Sequence, residues 1–262
     1  MKICLMTSNR PRHLHFAESL SKLASEMVLI QEAKPAKLYA PKSMSREWSD
    51  YIKRMDDAET EIFGRVRFTS IRCNSMVLGL DEISTLDIRD LLTLQGYDVF
   101  IVFGCGMIKG PIAEFLFSKK AINLHMGLSP YFRGSACNFW AQYLGYPELV
   151  GATIHYLSAS VDGGHVISRV IPSHLTDDGF KNGMLAVLSG QKAIIDILKN
   201  GKLCQQVGRP QRSADLISIT KRADLTETVM SDFMTKKKWM INGLDQKRKN
   251  RLLQMDPDLI YI

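Results

Sequence analysis

Apolar positions along the chain follow two rhythms. Short unbroken runs stand at 3–6, 27–30 and 99–103, while Phe16, Leu20, Leu23 and Met27, and later Ile83, Leu86, Ile88, Leu91 and Leu92, recur at helical spacing. An unbroken run of four or five is how a parallel strand covered on both faces reads, and the longer spacing is that of a helix with one buried face. The opening therefore predicts a strand, a loop at Thr7 to Pro11, a helix and a second strand. Residues 34–67 are polar and charged, with Trp48, Tyr51, Ile52, Met55, Ile62 and Phe63 on one face of a predicted surface helix. Its alternating charges predict a solvated outer face. A short strand is expected around 73–80, a helix over 83–94 that Gly96 ends, and then the strand Val99 to Phe103.

A glycine-punctuated loop, Gly104-Cys105-Gly106-Met107-Ile108-Lys109-Gly110, follows that strand, and Pro111 suits the first turn of a helix carrying Ile112, Phe115 and Leu116. Residues 151–157 and 166–170 read as a hairpin with Asp162-Gly163-Gly164 at its bend. Phe180, Met184, Leu188, Ile194, Ile195 and Leu198 predict a long helix closed by Asn200-Gly201. Strands alternating with helices predict an α/β domain over 1–204, with a mostly parallel sheet and helices on both faces. Residues 205–262 read as a small basic extension, where Lys236, Lys237, Lys238, Lys247, Arg248 and Lys249 alternate with Trp239, Met240, Leu252 and Leu253. Those runs suit either a solvated helix face or a phosphate or RNA surface.

Composition narrows the picture. A chain of 262 residues with 45% hydrophobic content can bury one sizeable core. The net charge of +7 favours anionic small molecules without demanding nucleic acid. Five dispersed cysteines, with no Cys-x-x-Cys pair, suggest neither a disulfide framework nor a metal site, so a reducing cytoplasm is expected. No apolar run approaches the roughly 18 residues of a membrane span.

The chemistry concentrates in residues 121–140. On an extended segment Asn123 and His125 project from one face while Ile122, Leu124 and Met126 take the other, and Gly127, Pro130 and Gly134 then break regular structure. Either these two residues belong to a site or Asn123 caps a turn and His125 is a half-buried structural histidine. Asp162 is by the same token either an acid beside them or an ordinary turn former, and His155 and His165 suit structural roles in their strands. The first loop offers free amides and a helix start to an anion through Ser8 and Asn9, or these residues only shape the turn. An amide, an imidazole and a carboxylate would serve acyl transfer to an amine. The amide N–H or an imidazolium holds the developing oxygen charge, and the imidazole can take the surplus proton. Ser135 and Cys137 read as loop packing.

The separated elements Asn123-x-His125, the loop from Leu128 through Ser129-Pro130-Tyr131-Phe132-Arg133-Gly134, Trp140, Gly151-x-Thr153-Ile154-His155 and Val161-Asp162-Gly163-Gly164 stand in an order that resembles the 10-formyltetrahydrofolate-dependent formyltransferases. That family includes enzymes acting on glycinamide ribonucleotide, methionyl-tRNA and nucleotide-linked amino sugars. The resemblance implies a Rossmann-like formyltransferase fold with Asn123, His125 and Asp162 as catalytic residues. His125 would act as base or, when protonated, help Asn123 hold the formyl oxygen, with Asp162 orienting it. It implies 10-formyltetrahydrofolate as cosubstrate, with no metal, and a pterin pocket built from Phe103, Gly104, Cys105, Gly106, Met107 and Ile108, closed by Val161, Gly163 and Gly164. Ser8, Asn9, Arg10, Tyr131 and Arg133 would contact the acceptor. This chain departs from the family at Gly127-Leu128-Ser129-Pro130, where Ser-Leu-Leu-Pro is commoner, and its first loop lacks the glycines of the glycinamide branch.

A small extension is less than the barrel domain of the tRNA branch and more than the glycinamide branch carries, so the resemblance is nearest to the sugar-nucleotide enzymes. The expected acceptor is a small phosphate-bearing amine, with no membrane and no nucleic acid as partner; the apolar content of the tail permits a homodimer. Formyl transfer to methionyl-tRNA or glycinamide ribonucleotide, and a non-catalytic binding protein on the same fold, are the alternatives.

Overall fold

A computed structural model describes residues 1–34, 45–65, 71–201, 203, 207–235, 250, 252 and 260–262. The basic runs at 236–238 and 247–249, and Cys204, lie outside the described residues. The chain opens with β1 (Lys2–Ser8), α1 (Pro11–Ser21) and β2 (Glu26–Glu32), then α2 (Arg46–Phe63) and β3 (Asn74–Leu78). It continues through α3 (Ile88–Leu94), β4 (Val99–Phe103), α4 (Pro111–Ser118), β5 (Ile122–His125), β6 (Phe132–Gly134) and α5 (Cys137–Tyr143). β7 (Ala152–Tyr156), β8 (Val166–Ile171), α6 (Gly179–Lys199), β9 (Ser218–Thr220), α7 (Glu227–Thr235) and β10 (Ile260–Tyr261) complete it.

The main sheet runs β10-β8-β7-β5-β4-β1-β2-β3. It is parallel from β3 to β5, and the hairpin strands β7 and β8 add to it antiparallel. Alternation along the central strands divides the core. Ile3, Leu5, Val99, Ile101 and Phe103 enter one apolar cluster with Phe16, Leu20 and the inner side of α6, while Cys4, Met6, Phe100 and Val102 enter a second with Ile112 and Leu116. Each face thus needs its own cover of helices, which is why residues 3–6 of β1 and all of β4 are apolar. Among the described residues, no helix is long and apolar enough to cross a membrane.

Two predicted helices come out differently. The helix expected over 83–94 is split into a 3-10 turn at Glu82–Thr85 and α3, because the Asp87 carboxylate caps the amides of Arg89 and Asp90 at 2.7 and 3.3 Å and starts a new helix there. The first helix stops at Ser21, so Met27, although in phase with it, belongs to β2. Beyond Gly201 the chain is built into the body: β9 pairs with β6, β10 extends the main sheet beside β8, and Phe233 of α7 stacks on Phe139 at 4.3 Å.

The sheet order reverses at β1, with β2 and β3 on one side and β4 and β5 on the other. In open α/β sheets ligands gather at the carboxyl ends of strands at such a switch point. Here those ends are Ser8, Phe103 and His125, and the Thr7 hydroxyl, donating to the Phe103 carbonyl at 2.8 Å, ties the first two together.

Candidate active site

Because β5 is extended, Ile122 and Leu124 face the large core and Asn123 and His125 face away from it, as their spacing predicts. The hairpin β7–β8 folds back against β5, and its bend brings in a residue 37 positions further along: Asp162 Oδ2 lies 3.2 Å from His125 Nδ1. The same oxygen accepts the Gly134 amide at 2.8 Å, and Asp162 Oδ1 accepts from Asn123 Nδ2 at 3.3 Å. Asn123 and His125 therefore meet around a carboxylate that the sequence places far from both.

His125 is buried, and its other nitrogen, Nε2, lies 3.1 Å from the Phe132 carbonyl. Both ring nitrogens face acceptors, which only the doubly protonated ring can satisfy. Burial opposes that charge, but the Asp162 carboxylate, with a smaller contribution from Cys137, outweighs it and holds His125 well above its ordinary pKa of 6.5. In the same way burial works against ionised Asp162, yet the charge and hydrogen bond of His125 hold its carboxyl far below the usual range. A ring protonated in this way donates through both nitrogens.

His155 is the member of this cluster that local pattern gave little reason to select. Its Nδ1 faces its neighbour's carbonyl on Tyr156 at 2.9 Å, so Nε2 is the accepting nitrogen, and the Asn123 amide donates to it at 3.0 Å. That bond and the one to Asp162 occupy both N–H groups of Asn123 and leave its Oδ1 turned to other partners. The pairing of β5 with β7 sets Asn123 opposite His155, which is the register that makes the contact.

The residues expected around a pterin lie at the neighbouring strand end. Lys34 donates to the Gly104 carbonyl at 2.7 Å, and the buried Glu32 carboxylate accepts the amides of Gly106 at 2.7 Å and Asp81 at 2.9 Å while pairing with Lys34 at 2.9 Å. Those contacts staple the loop at both glycines. Gly104 sits at φ +74 and would press a Cβ against the His13 ring, so this bend requires glycine. Met107 and Val161, on the two loops in question, are both exposed, and Gly164 would drive a Cβ into the Tyr156 carbonyl.

Ser8, Asn9 and Arg10 are engaged within the protein. Ser8 is buried and donates to the Glu32 carbonyl, Asn9 accepts the Lys34 amide, and Arg10 pairs with Asp56 and Glu59. Glu59 also accepts the Arg12 amide at 3.1 Å and its guanidinium at 2.8 Å. The anion at the start of α1 is thus the chain's own Glu59, 1% exposed on a helix whose charges had suggested a solvated face. Tyr131 is buried beneath β9, and its carbonyl accepts the amides of Ile217 and Ser218. Arg133 is also buried; among the described residues it bonds Gln211 but has no carboxylate partner, and its Nε has no hydrogen bond.

Residues 80–182, which contain β4, β5 and the Asp162 turn, match the family described as formyl transferase. That central stretch is thus similar to the formyl transferases. A methionyl-tRNA formyltransferase of Thermosynechococcus vestitus (strain NIES-2133 / IAM M-273 / BP-1) is 29% identical over 127 residues, covering 48% of this chain. The match spans 38% of that curated relative's own length. Two solved structures share the fold. An N-formyltransferase from Helicobacter canadensis, crystallised with folinic acid and dTDP-3-aminofucose, has a TM-score of 0.53 at 12% identity, over 86% of this chain and 73% of that one. Glycinamide ribonucleotide transformylase 1 from Symbiobacterium toebii has a TM-score of 0.53 at 15% identity, over 80% and 93%.

The His125–Asp162 pair gives the protein a defined pH response. His125 is raised in the folded state, so its contribution to stability is complete below 6.5 and is lost as pH rises through the higher folded value. Asp162 is depressed, so its contribution is present above 3.8 and is lost as pH falls through the folded value. Thermal melts across pH 5–10 should therefore show a midpoint that is steady below about 6.5 and declines as pH rises above it, through neutrality and beyond, and the decline should vanish in Asp162→Asn. A midpoint that rises between pH 7 and 9 would contradict the paired imidazolium.

Proposed function

We propose that this protein transfers a formyl group from 10-formyltetrahydrofolate to a primary amine, and that the acceptor is the amino group of a nucleotide-linked amino sugar. The observation that carries the reading is the 3.2 Å pair of His125 with Asp162 beside Asn123, at the carboxyl end of β5 and next to the 103–108 loop. The cosubstrate supplies an activated formyl carbon, so no serine or cysteine nucleophile is needed. The loops assigned to it fit a flat, partly apolar ring: the bend at Gly104 is stapled by Lys34 and Glu32, and Met107 and Val161 offer exposed apolar surface.

The roles of the chain's own residues follow from their hydrogen bonds. His125, kept cationic by Asp162, is the donor for negative charge on a carbonyl oxygen; it reaches that oxygen by sharing the Nε2–H now given to Phe132. Asn123, with both N–H groups committed to His155 and Asp162, offers Oδ1 to an N–H of the attacking amine and so orients it. Asp162 is too strongly held in its ionised form to be an efficient base and acts as the counter-ion. As the amine bonds to the formyl carbon, the bond from that carbon to N10 of the folate breaks; the amine gives its surplus proton to solvent and N10 takes one up, so the transfer leaves no net proton.

Support for an amino-sugar nucleotide comes from the net charge of +7 and from the buried Arg133 cation, which has no carboxylate partner among the described residues. The test is purified protein with 10-formyltetrahydrofolate and a panel of amino-sugar nucleotides, glycinamide ribonucleotide and methionyl-tRNA. Nucleotide-linked amino sugars should give kcat/KM at least about tenfold above the other acceptors, equivalent to about 1.4 kcal/mol. A preference for methionyl-tRNA that collapses with salt would overturn the acceptor. Absence of transfer to every amine would overturn the activity.

A further inference from the structure

The polypeptide beyond Gly208 crosses the turn that carries Asp162 and is bonded to both segments that meet there. At one end Arg209 and Val166 exchange N–H···O bonds of 2.8 Å each. At the other, the Ile217 and Ser218 amides reach the Tyr131 carbonyl, the Ser135 amide reaches the Thr220 carbonyl at 2.9 Å, and the Thr220 hydroxyl returns a bond to the Ser135 carbonyl at 2.6 Å. Gln211 lies between these anchors. Its Nε2 donates to the carbonyls of Asp162 and Gly164, both at 2.8 Å, and its Oε1 accepts from Arg133 Nη2 at 2.8 Å.

We infer that Gln211 is a positioning residue of the active centre, fixing the Asp162 turn to the Arg133 loop so that the carboxylate stays within reach of His125. The need for such a brace is visible in the backbone. Asp162 sits at φ +43, in the left-handed region that a residue with a side chain adopts only when its surroundings impose it. The turn's own bond is from the Gly163 amide to the Ser160 carbonyl at 3.1 Å, and Gln211 supplies two more from outside. Only a side chain with two N–H donors and an acceptor on one planar end makes all three contacts. Glutamate loses both donors, methionine keeps the length without either, and asparagine is too short to span the two sides. The carboxyl-terminal segment is in this way part of the centre.

The kinetic arm of the test rests on the formyl-transfer reading, whereas the titration arm does not. Gln211→Ala and Gln211→Met, made in the full chain, should melt within a few degrees of the parent and lose about 10- to 100-fold in kcat, with KM for the formyl donor changed by less than about threefold. His125, followed by NMR, should titrate at lower pH in both variants. The groups facing it are Asp162 from the turn, His155 from β7 and Cys137 from α5, with Arg133 beyond the turn; all remain in the variants, so a shift reports displacement of Asp162. An unchanged His125 titration with kcat within twofold of the parent overturns the inference. So does a loss of turnover that only follows the unfolded fraction. If Gln211→Ala does not fold, Gln211→Met decides by the same readouts. If the parent formylates no amine, the functional reading falls, and the His125 titration still supports or refutes the role of Gln211.

Discussion

Asp162→Asn is expected to lower kcat by about three orders of magnitude while leaving the protein folded. Asparagine keeps the shape of the side chain and can still accept the Gly134 amide, so the turn is retained. What goes is the charge. Burial opposes the His125 imidazolium, and without the carboxylate nothing of similar strength holds the proton on the ring. A neutral ring cannot donate through both nitrogens, so the donor proposed for the substrate oxygen would be lost. Removing one partner of a buried ion pair costs about 3–5 kcal/mol when the other stays charged, but His125 can release its proton, so the stability loss should be smaller than that. Steady-state kinetics with His125→Ala and the double variant should show the two changes to be strongly non-additive. Retention of kcat within about tenfold in Asp162→Asn would sink the counter-ion role.

The second large effect is structural. Gly134 sits at φ +92, donates its amide to Asp162, and lies in β6 against β9. A Cβ there would be driven into the Thr220 carbonyl, which is backbone and cannot swing aside. The left-handed backbone costs about 1–2 kcal/mol for a residue other than glycine, and forced overpacking about 1–3 more. Gly134→Ala should therefore destabilise by about 3 kcal/mol and, at about 2–4 °C per kcal/mol, bring the melting midpoint down by roughly 6–12 °C. Gly145 is the control: its φ is +86, but nothing lies within 4 Å of its Cβ position, so Gly145→Ala should show the backbone cost alone. Equal losses in the two variants would mean that close packing of β9 on β6 contributes nothing.

Much of the scaffold was legible because its signals are local. The run 99–103 became β4, Pro111 began α4, Asp162 came at the bend between β7 and β8, and the helix after Asp178 ended at Asn200 and Gly201. Where the reading differed, a side chain had intervened. Asp87 competes with the helix backbone for its own amides and splits the segment 83–94, which the apolar spacing passes over. Glu59 looks like one more charge on a solvated face until α2 is laid over the first loop, where two arginines and a helix start surround it. His155 and Gln211 gave little local signal, since their partners lie 32 and 49 positions away at Asn123 and Asp162.

By itself the sequence determined which segments are strands and helices, that the sheet is covered on both faces, and that an amide and an imidazole share one side of β5. These follow from periodicities of two and about 3.6 residues, which are written in consecutive positions. Tertiary structure alone decided that the imidazole is paired with a buried carboxylate, that the place at the start of α1 is filled by Glu59, and that the segment around Gln211 is bonded to the Asp162 turn. Each of those depends on charge and hydrogen-bond partners brought within about 3 Å by chain folding, at which distance burial makes protonation and pairing a property of the neighbourhood and no longer of the residue.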